Sequence, residues 1–159
     1  MKFNSALRNF VLVLFSTLLI SACSTAKKAS VDTVDDVYTG TDTVEYLAKG
    51  VPDRVFFATN KSKLTTRSRD TLRKQATWLR KNKDVTVTVE GHADERGTRE
   101  YNLALGERRA NAARDYLITY GISGKRITVI SYGKEKPVNP ASSPLAWSQN
   151  RRSVTVKTN

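Results

Sequence analysis

Two side chains able to hold opposite charges stand fifteen positions apart in the middle of this 159-residue chain, Asp94 and Arg109. Asp94 lies in the glycine-bounded stretch Gly91-His92-Ala93-Asp94-Glu95-Arg96-Gly97, which reads as a loop, while Arg109 falls on a run with helical spacing. A carboxylate accepts from an ammonium, and a guanidinium forks onto a carboxylate, so the pair brought to one concavity would hold a zwitterion. An internal salt bridge is the alternative that the two residues alone leave open. His92 invites a metal or hydrolytic reading. It is the only histidine, however, and Cys23 the only cysteine, which makes a poor metal-ligand set. Ser131 and Ser153 lack the motif that exposes a nucleophilic serine. No acid–base pair suggests itself. The residues therefore point to binding, with no cofactor, no metal and no catalysis, and His92 reads as a loop-orienting residue.

The elements that must position these residues are legible from periodicity. Arg54-Val55-Phe56-Phe57-Ala58 is a short strand candidate, followed by a turn at Thr59-Asn60-Lys61-Ser62. From about Thr65 to Lys81 a helix carries Leu72, Ala76 and Leu79 on one face and many Arg and Lys on the other. Asp84 to Glu90 alternates Val85, Val87 and Val89 against Thr86, Thr88 and Glu90, a strand with one face on a core. A second helix is predicted from near Asn102 to Tyr120, stopped by Gly121. Its stripe of Leu103, Gly106, Ala110, Ala113, Leu117 and Tyr120 is small in the middle, which would let it lie close on the sheet. Helical side chains lean toward the helix N-terminus, so Arg109 can point back at the Asp94 loop. Gly97 gives that loop a permissive backbone. Arg126 to Ser131 is a third strand, a proline-punctuated stretch with a turn of helix around Leu145 to Ser148 follows, and Arg152 to Lys157 closes as a fourth. The order β-α-β-α-β-(loop)-β indicates an α/β two-layer sandwich, a mixed four-stranded sheet covered on one face by two helices. Trp78 and Trp147 read as core or interface residues.

The front of the chain has a different character. Residues 1–22 combine a positive start (Lys2, Arg8) with a short apolar run and small residues, the pattern of an export signal. The apolar run is too short for a comfortable transmembrane helix. It ends in Leu19-Ile20-Ser21-Ala22-Cys23-Ser24, which resembles a bacterial lipobox. That resemblance implies cleavage before Cys23 and lipid on its thiol and new amino terminus, and several acyl chains give stable membrane attachment. Residue 24 is Ser and not Asp, which in diderm lipoproteins is associated with the outer membrane. Residues 23–50 read as a lipidated cysteine and a mostly flexible tether, and residues 51–159 as the folded domain.

Residues Gly91 to Ala110 resemble the signature of the OmpA-like peptidoglycan-binding domain: Gly-His-x-Asp-x-x-Gly, then Asn102, a leucine, and Arg109-Ala110. The resemblance runs from Val51 to Asn159 and takes in Val55-Phe56-Phe57, Ser131-Tyr132-Gly133 through Pro137, and Asn150-Arg151-Arg152. It implies binding of the meso-diaminopimelate in peptidoglycan stem peptides. Carried over by position, the site would comprise Asp94 for the ammonium, Arg109 for the carboxylate, Thr98, Asn102 and Leu105 lining it, and Phe57 and Ala58 giving backbone contacts. The family often has acidic or aromatic residues after the phenylalanine, where Ala58-Thr59-Asn60 stand here; a small Ala58 still allows a backbone contact. The resemblance further implies an outer-membrane lipoprotein facing the periplasm, working in the Tol system of envelope integrity and cell division with periplasmic TolB as partner.

The formal charge is +12, and +10 without Lys2 and Arg8. Such a charge favours anionic partners in general. The basic helix residues (Arg67, Arg69, Arg73, Lys74, Arg80, Lys81) are an ordinary solvated face, and no nucleic-acid motif accompanies them. No nucleic acid is therefore expected as a partner. The rival reading is a basic periplasmic domain that binds another anionic polymer.

Overall fold

The computed structural model describes residues 36–158. The expected leader of residues 1–22 and the expected lipid site at Cys23 lie outside them. Among the described residues no helix is long and apolar enough to cross a membrane.

The elements run β1 (Tyr46–Ala48), β2 (Val51–Pro52), β3 (Arg54–Phe56), α1 (Thr66–Lys81), β4 (Val87–His92), α2 (Arg99–Thr119), a 3-10 turn (Gly124–Arg126), β5 (Ile127–Gly133), α3 (Pro144–Asn150) and β6 (Arg152–Lys157). The four-stranded sheet has the order β3-β6-β4-β5. β6 is antiparallel to both β3 and β4, and β4 is parallel to β5, with Val89 opposite Val129 on one side and Thr155 on the other. Helices α1 and α2 cover one face, so the expected mixed α/β sandwich is the architecture found. Its core is formed by Val55, Phe57, Leu72, Ala76, Leu79, Val87, Val89, Ala110, Ala113, Leu117 and Ile122.

Local chemistry accounts for the helix ends. Thr65 caps α1 by accepting from the Ser68 amide. α2 begins three residues before the predicted Asn102, because Thr98 caps it through the Tyr101 amide and Glu100 stands in its first turn. At its other end the Gly121 amide donates to Ile118 at 2.9 Å and the Ile122 amide to Leu117 at 3.2 Å. This is the glycine-dependent Schellman closure, with Gly121 at φ +86° and Ile122 buried in the core. The buried face of α2 is Asn102, Leu105, Gly106, Arg109, Ala110, Ala113 and Leu117. It is rotated slightly from the predicted stripe, leaving Leu103 and Tyr120 half-buried.

Helix α2 approaches β4 more closely than any side chain at the crossing would allow. A Cβ on Gly91 would stand 1.8 Å from the Gly106 carbonyl oxygen, and one on Gly106 would stand 2.3 Å from the Ser131 hydroxyl. The two glycines therefore set the distance between helix and strand. They seat the start of α2 against the loop that follows β4.

The expected start of the domain at Val51 is corrected by the chain before it. Residues from Asp36 onward are folded against the domain: Leu47 is 3% exposed and belongs to the core, and Tyr38 packs edge-on against Phe56 at 4.8 Å. β1 and β2 form a hairpin whose turn uses Gly50 at φ +75°. The hairpin buries Leu47 but is too short to show a repeating pattern in the sequence. The described residues, 36–158, belong to one compact unit.

Candidate functional site

Strand β4 carries the chain into the loop that holds Asp94, and one buried arginine fixes its course. Arg109 is 0% exposed and spends its guanidinium on three carbonyls, from Nε to Lys61 at 2.9 Å, from Nη1 to His92 at 2.8 Å and from Nη2 to Ala58 at 3.1 Å. It thereby joins the end of β4 to the turn after β3. Burial, then the neighbouring charge of Arg151, lowers its pKa to about 10, which leaves it a cation at neutral pH. Arg109 thus supports the loop from beneath, with three of its five N–H groups committed to carbonyls. The charge of Asp94 acts on it at a distance.

Asp94 is itself buried, and its carboxylate is fully engaged. Arg96 grips it with Nε at 3.0 Å from Oδ1 and Nη2 at 2.8 Å from Oδ2, and the Arg96 amide closes a turn onto Oδ1 at 3.1 Å. Arg151 adds Nη1 at 3.4 Å from Oδ2. Burial by itself would raise the Asp94 pKa. The bonds from Arg96 and the charge of Arg151 outweigh burial and hold it below the ordinary carboxylate range. The internal partners of this carboxylate are thus Arg96 and Arg151, and not Arg109.

The remaining expected residues stand around the Asp94 loop in different ways. Asn102 is buried and donates from Nδ2 to the Arg96 carbonyl at 2.9 Å, holding the loop to α2. Thr98 is exposed and caps α2, and Leu105 is buried below it. Gly97 takes φ +93°, the left-handed turn that the loop requires. The backbone of Phe57, expected to face a ligand, is occupied by Arg151: its amide donates to the Arg151 carbonyl at 2.9 Å and its carbonyl accepts from Arg151 Nε at 3.1 Å. The Ala58 carbonyl is likewise taken, by Arg109 and by the Lys61 amide. The backbone amide exposed to the pocket side is one residue further on, at Thr59, where it donates to Asp36 at 2.6 Å.

His92 is 1% exposed and is held neutral, its pKa pushed down to about 3 by burial and then by the charges of Arg152, Arg54 and Lys136. Its 3.3 Å contact from Nε2 to Glu90 is accordingly a hydrogen bond of a neutral ring and not an ion pair. Its carbonyl serves Arg109, which fits the loop-orienting role read from the sequence.

Five residues that the sequence reading did not assign to the site stand around the mouth. Asp36, Thr59, Arg96, Trp147 and Arg151 line a cavity of about 290 Å³, with Val37, Pro144 and Ser148. The Arg96 guanidinium lies 4.2 Å from the centroid of the Trp147 ring, and Trp147 donates from Nε1 to Glu95 at 2.8 Å. Trp147, on α3, is therefore a wall of this cavity and not a core residue. Arg96 and Arg151 carried a signal, as parts of the Gly91 to Gly97 loop and of Asn150-Arg151-Arg152; Asp36, Thr59 and Trp147 lie in separate segments with no shared motif.

The result is a cavity lined by Arg96, beside a buried carboxylate, Asp94, that this stacked, partly exposed arginine covers. Such an arrangement can exchange an internal cation for an external one, and it presents amide and guanidinium donors to an anion beside it.

The OmpA family matches residues 56–151. The chain is 57% identical over 106 residues to the peptidoglycan-associated lipoprotein of Rhizobium meliloti, a match that covers 67% of this chain and 60% of that relative's length. It is 43% identical over 154 residues to the peptidoglycan-associated lipoprotein of Mesorhizobium japonicum, covering 94% of this chain and 92% of the relative. Among solved structures it superposes on the peptidoglycan-associated lipoprotein of Burkholderia pseudomallei with a TM-score of 0.65 and 35% identity, over 67% of this chain and 90% of that one. The C-terminal domain of Helicobacter pylori MotB shares the fold, with a TM-score of 0.63 at 22% identity over 67% of this chain and 84% of that one. The Asp94 loop and Arg109 both fall inside the matched region, and the chain belongs to the OmpA family, with peptidoglycan-associated lipoproteins as its relatives.

Proposed function

We propose that this chain is an envelope lipoprotein that binds peptidoglycan non-covalently at the Asp94 loop, beside the cavity that Arg96 and Arg151 line. The observation that carries the reading is the Asp94 carboxylate itself, buried, ionised and covered by the partly exposed Arg96 side chain, on an OmpA-family domain. The ammonium at the free end of meso-diaminopimelate is the external cation that would replace Arg96 there, and its neighbouring carboxylate needs donors close by. Arg109, Asn102 and Thr98 act by holding the loop, with Leu105 beneath and the turn at Phe57 and Ala58 opposite.

The reading is of a binding module and not an enzyme. A carboxylate held below its usual pKa by two guanidiniums is a poor proton shuttle at neutral pH, where a general acid or base needs a pKa near the working pH. The lipobox at Cys23 supports an acyl anchor, and the residue after it supports the outer membrane, with the domain facing the periplasm. A membrane-anchored domain is confined near the wall, so a modest affinity gains from high local concentration. Likeness to the peptidoglycan-associated lipoproteins supports a place in the Tol-Pal system with TolB as partner.

Sedimentation with purified sacculi tests this. The wild-type chain is expected in the pellet, and Asp94→Ala in the supernatant with an unchanged circular dichroism spectrum. A folded Asp94→Ala protein that pellets as the wild type does would remove Asp94 from the ligand site.

A further inference from the structure

The face of the sheet turned away from α1 and α2 carries another cavity. Val87 and Val89 of β4 lie in the core beneath the helices, and Thr155 of β6 donates to Gln75 of α1 at 2.8 Å. Side chains alternate along a strand, so Glu90, Arg152 and Val154 point the other way. With His92 and Lys136 they line a cavity of about 530 Å³, which shares no residue with the one at Arg96 and Arg151. Arg152 is 7% exposed, and its bonding is incomplete. Nη1 donates to the Asn150 carbonyl at 3.4 Å and Nη2 to the Lys136 carbonyl at 3.2 Å, but Nε has no partner among the described residues. Nδ1 of buried His92 is likewise without one. Buried polar groups are nearly always bonded, so an unmet donor beside a cavity marks a place for an acceptor. Burial, then the charge of Arg54, lowers the Arg152 pKa to about 10, which leaves it a cation at neutral pH.

The carboxylates of the cavity are engaged elsewhere. Asp53 grips Arg54 at 2.8 and 2.7 Å, and Glu45 stands 3.4 Å from the same guanidinium. Glu90 lies 3.3 Å from the neutral His92 ring and acts on Arg152 only at a distance. Lys136 is exposed and holds its ammonium 3.7 Å from the centroid of the Tyr132 ring, and Lys157 turns toward Trp78. Around Arg152 two cations thus face one carboxylate, Glu90, that touches neither of them. We propose that this cavity is a carboxylate-binding site, in which one carboxylate from outside the chain accepts from Arg152 Nε and pairs with Lys136. A singly charged group suits the site better than a phosphate, whose second negative charge would stand against Glu90. Tyr46 and Val156, both exposed, line the same cavity and offer apolar surface to the carbon chain that bears the carboxylate. A free carboxylic acid and an acidic side chain of a partner protein share this chemistry. The site is independent of wall binding at the Asp94 loop.

The test is titration of acetate, and separately of the N-acetyl α-amide of glutamic acid, into the full chain in detergent micelles at constant ionic strength. The Arg152 Nε–H resonance is the readout. It is expected to shift saturably with both compounds. Tighter binding of the glutamate compound assigns the site to a protein side chain, and tighter binding of acetate to a free acid. Two variants give effects of opposite sign. Lys136→Gln, at an exposed position, is expected to bind about two- to fivefold more weakly, the worth of one exposed charge pair. Glu90→Gln keeps the shape of the side chain, removes its repulsion and is expected to bind about two- to fivefold more tightly. An Arg152 resonance that stays still overturns the site and leaves Nε to water. A shift that sodium chloride reproduces in full overturns it as well, as do equal affinities in the three proteins. Sedimentation with sacculi reads the Asp94 loop separately, so either reading can fail while the other stands.

Discussion

Replacing Arg109 by lysine is expected to destabilise the domain by about 3 kcal/mol or more, since each buried carbonyl left without its partner costs about 1–3 kcal/mol. The guanidinium is planar and sends donors to the carbonyls of Ala58, Lys61 and His92 from one rigid fork. A lysine ammonium is a compact, strongly hydrated charge. It cannot span three carbonyls that approach along different directions, and it remains buried where Arg109 has no exposed surface. Urea unfolding of the two proteins reads the loss directly as a lower midpoint with an unchanged slope. Binding should weaken as well, because the turn that carries Ala58 and Thr59 and the end of β4 lose their common support. If Arg109→Lys unfolds at the wild-type midpoint yet fails to bind, Arg109 is a free ligand fork after all, and its three carbonyl bonds are incidental.

Gly91→Ala is expected to have a still larger effect. Its methyl group would stand 1.8 Å from the Gly106 carbonyl oxygen and 2.5 Å from the carbonyl carbon, both backbone atoms of a helix packed across the sheet. No rotamer relieves such a clash. α2 must lift off β4, opening the layer that contains Ala110, Ala113 and Leu117. A loss above about 4 kcal/mol is expected, in the range reserved for overpacked cores. Gly50→Ala is the matched control: its added methyl meets nothing within 4 Å, and only the backbone at φ +75° resists it. That substitution should cost about 1 kcal/mol. Thermal melts of the two variants separate the cases, and a Gly91→Ala protein that melts beside Gly50→Ala would show that the helix–sheet contact yields easily.

These two residues also show what the sequence makes legible. β4 announces itself, because alternating Val and Thr is what a strand with one buried face demands, and the small residues of α2 announce a close approach to it. Asp94 was found for the same reason, since it sits between two glycines with a local pattern. Arg109 was found, but its structural task was not. A sequence displays a charge and not the carbonyls that satisfy it, and those belong to residues as much as 51 positions away. The mouth of the cavity was legible only in part, through the motifs that contain Arg96 and Arg151 and not through the contacts they make. Asp36 and Arg151 meet across 115 positions, and Arg96 meets Trp147 through a stacking contact between a loop and the short helix α3 that no periodicity links. The hairpin of β1 and β2 was missed because one buried leucine in a three-residue strand carries too little pattern to separate it from a tether.

The claim that most needs testing is that the site at the Asp94 loop recognises a zwitterion. The measurement is calorimetric titration of the wild-type chain with two stem peptides that differ only at the third residue, meso-diaminopimelate in one and lysine in the other. Lysine keeps the ammonium for Asp94 and lacks the carboxylate. A charge-assisted hydrogen bond is worth roughly 1.5–3 kcal/mol, and about 1.4 kcal/mol is a factor of ten in affinity. The diaminopimelate peptide is therefore expected to bind about tenfold to a hundredfold more tightly than the lysine peptide. Equal affinity for the two peptides would contradict zwitterion recognition, even if the protein still sediments with the wall.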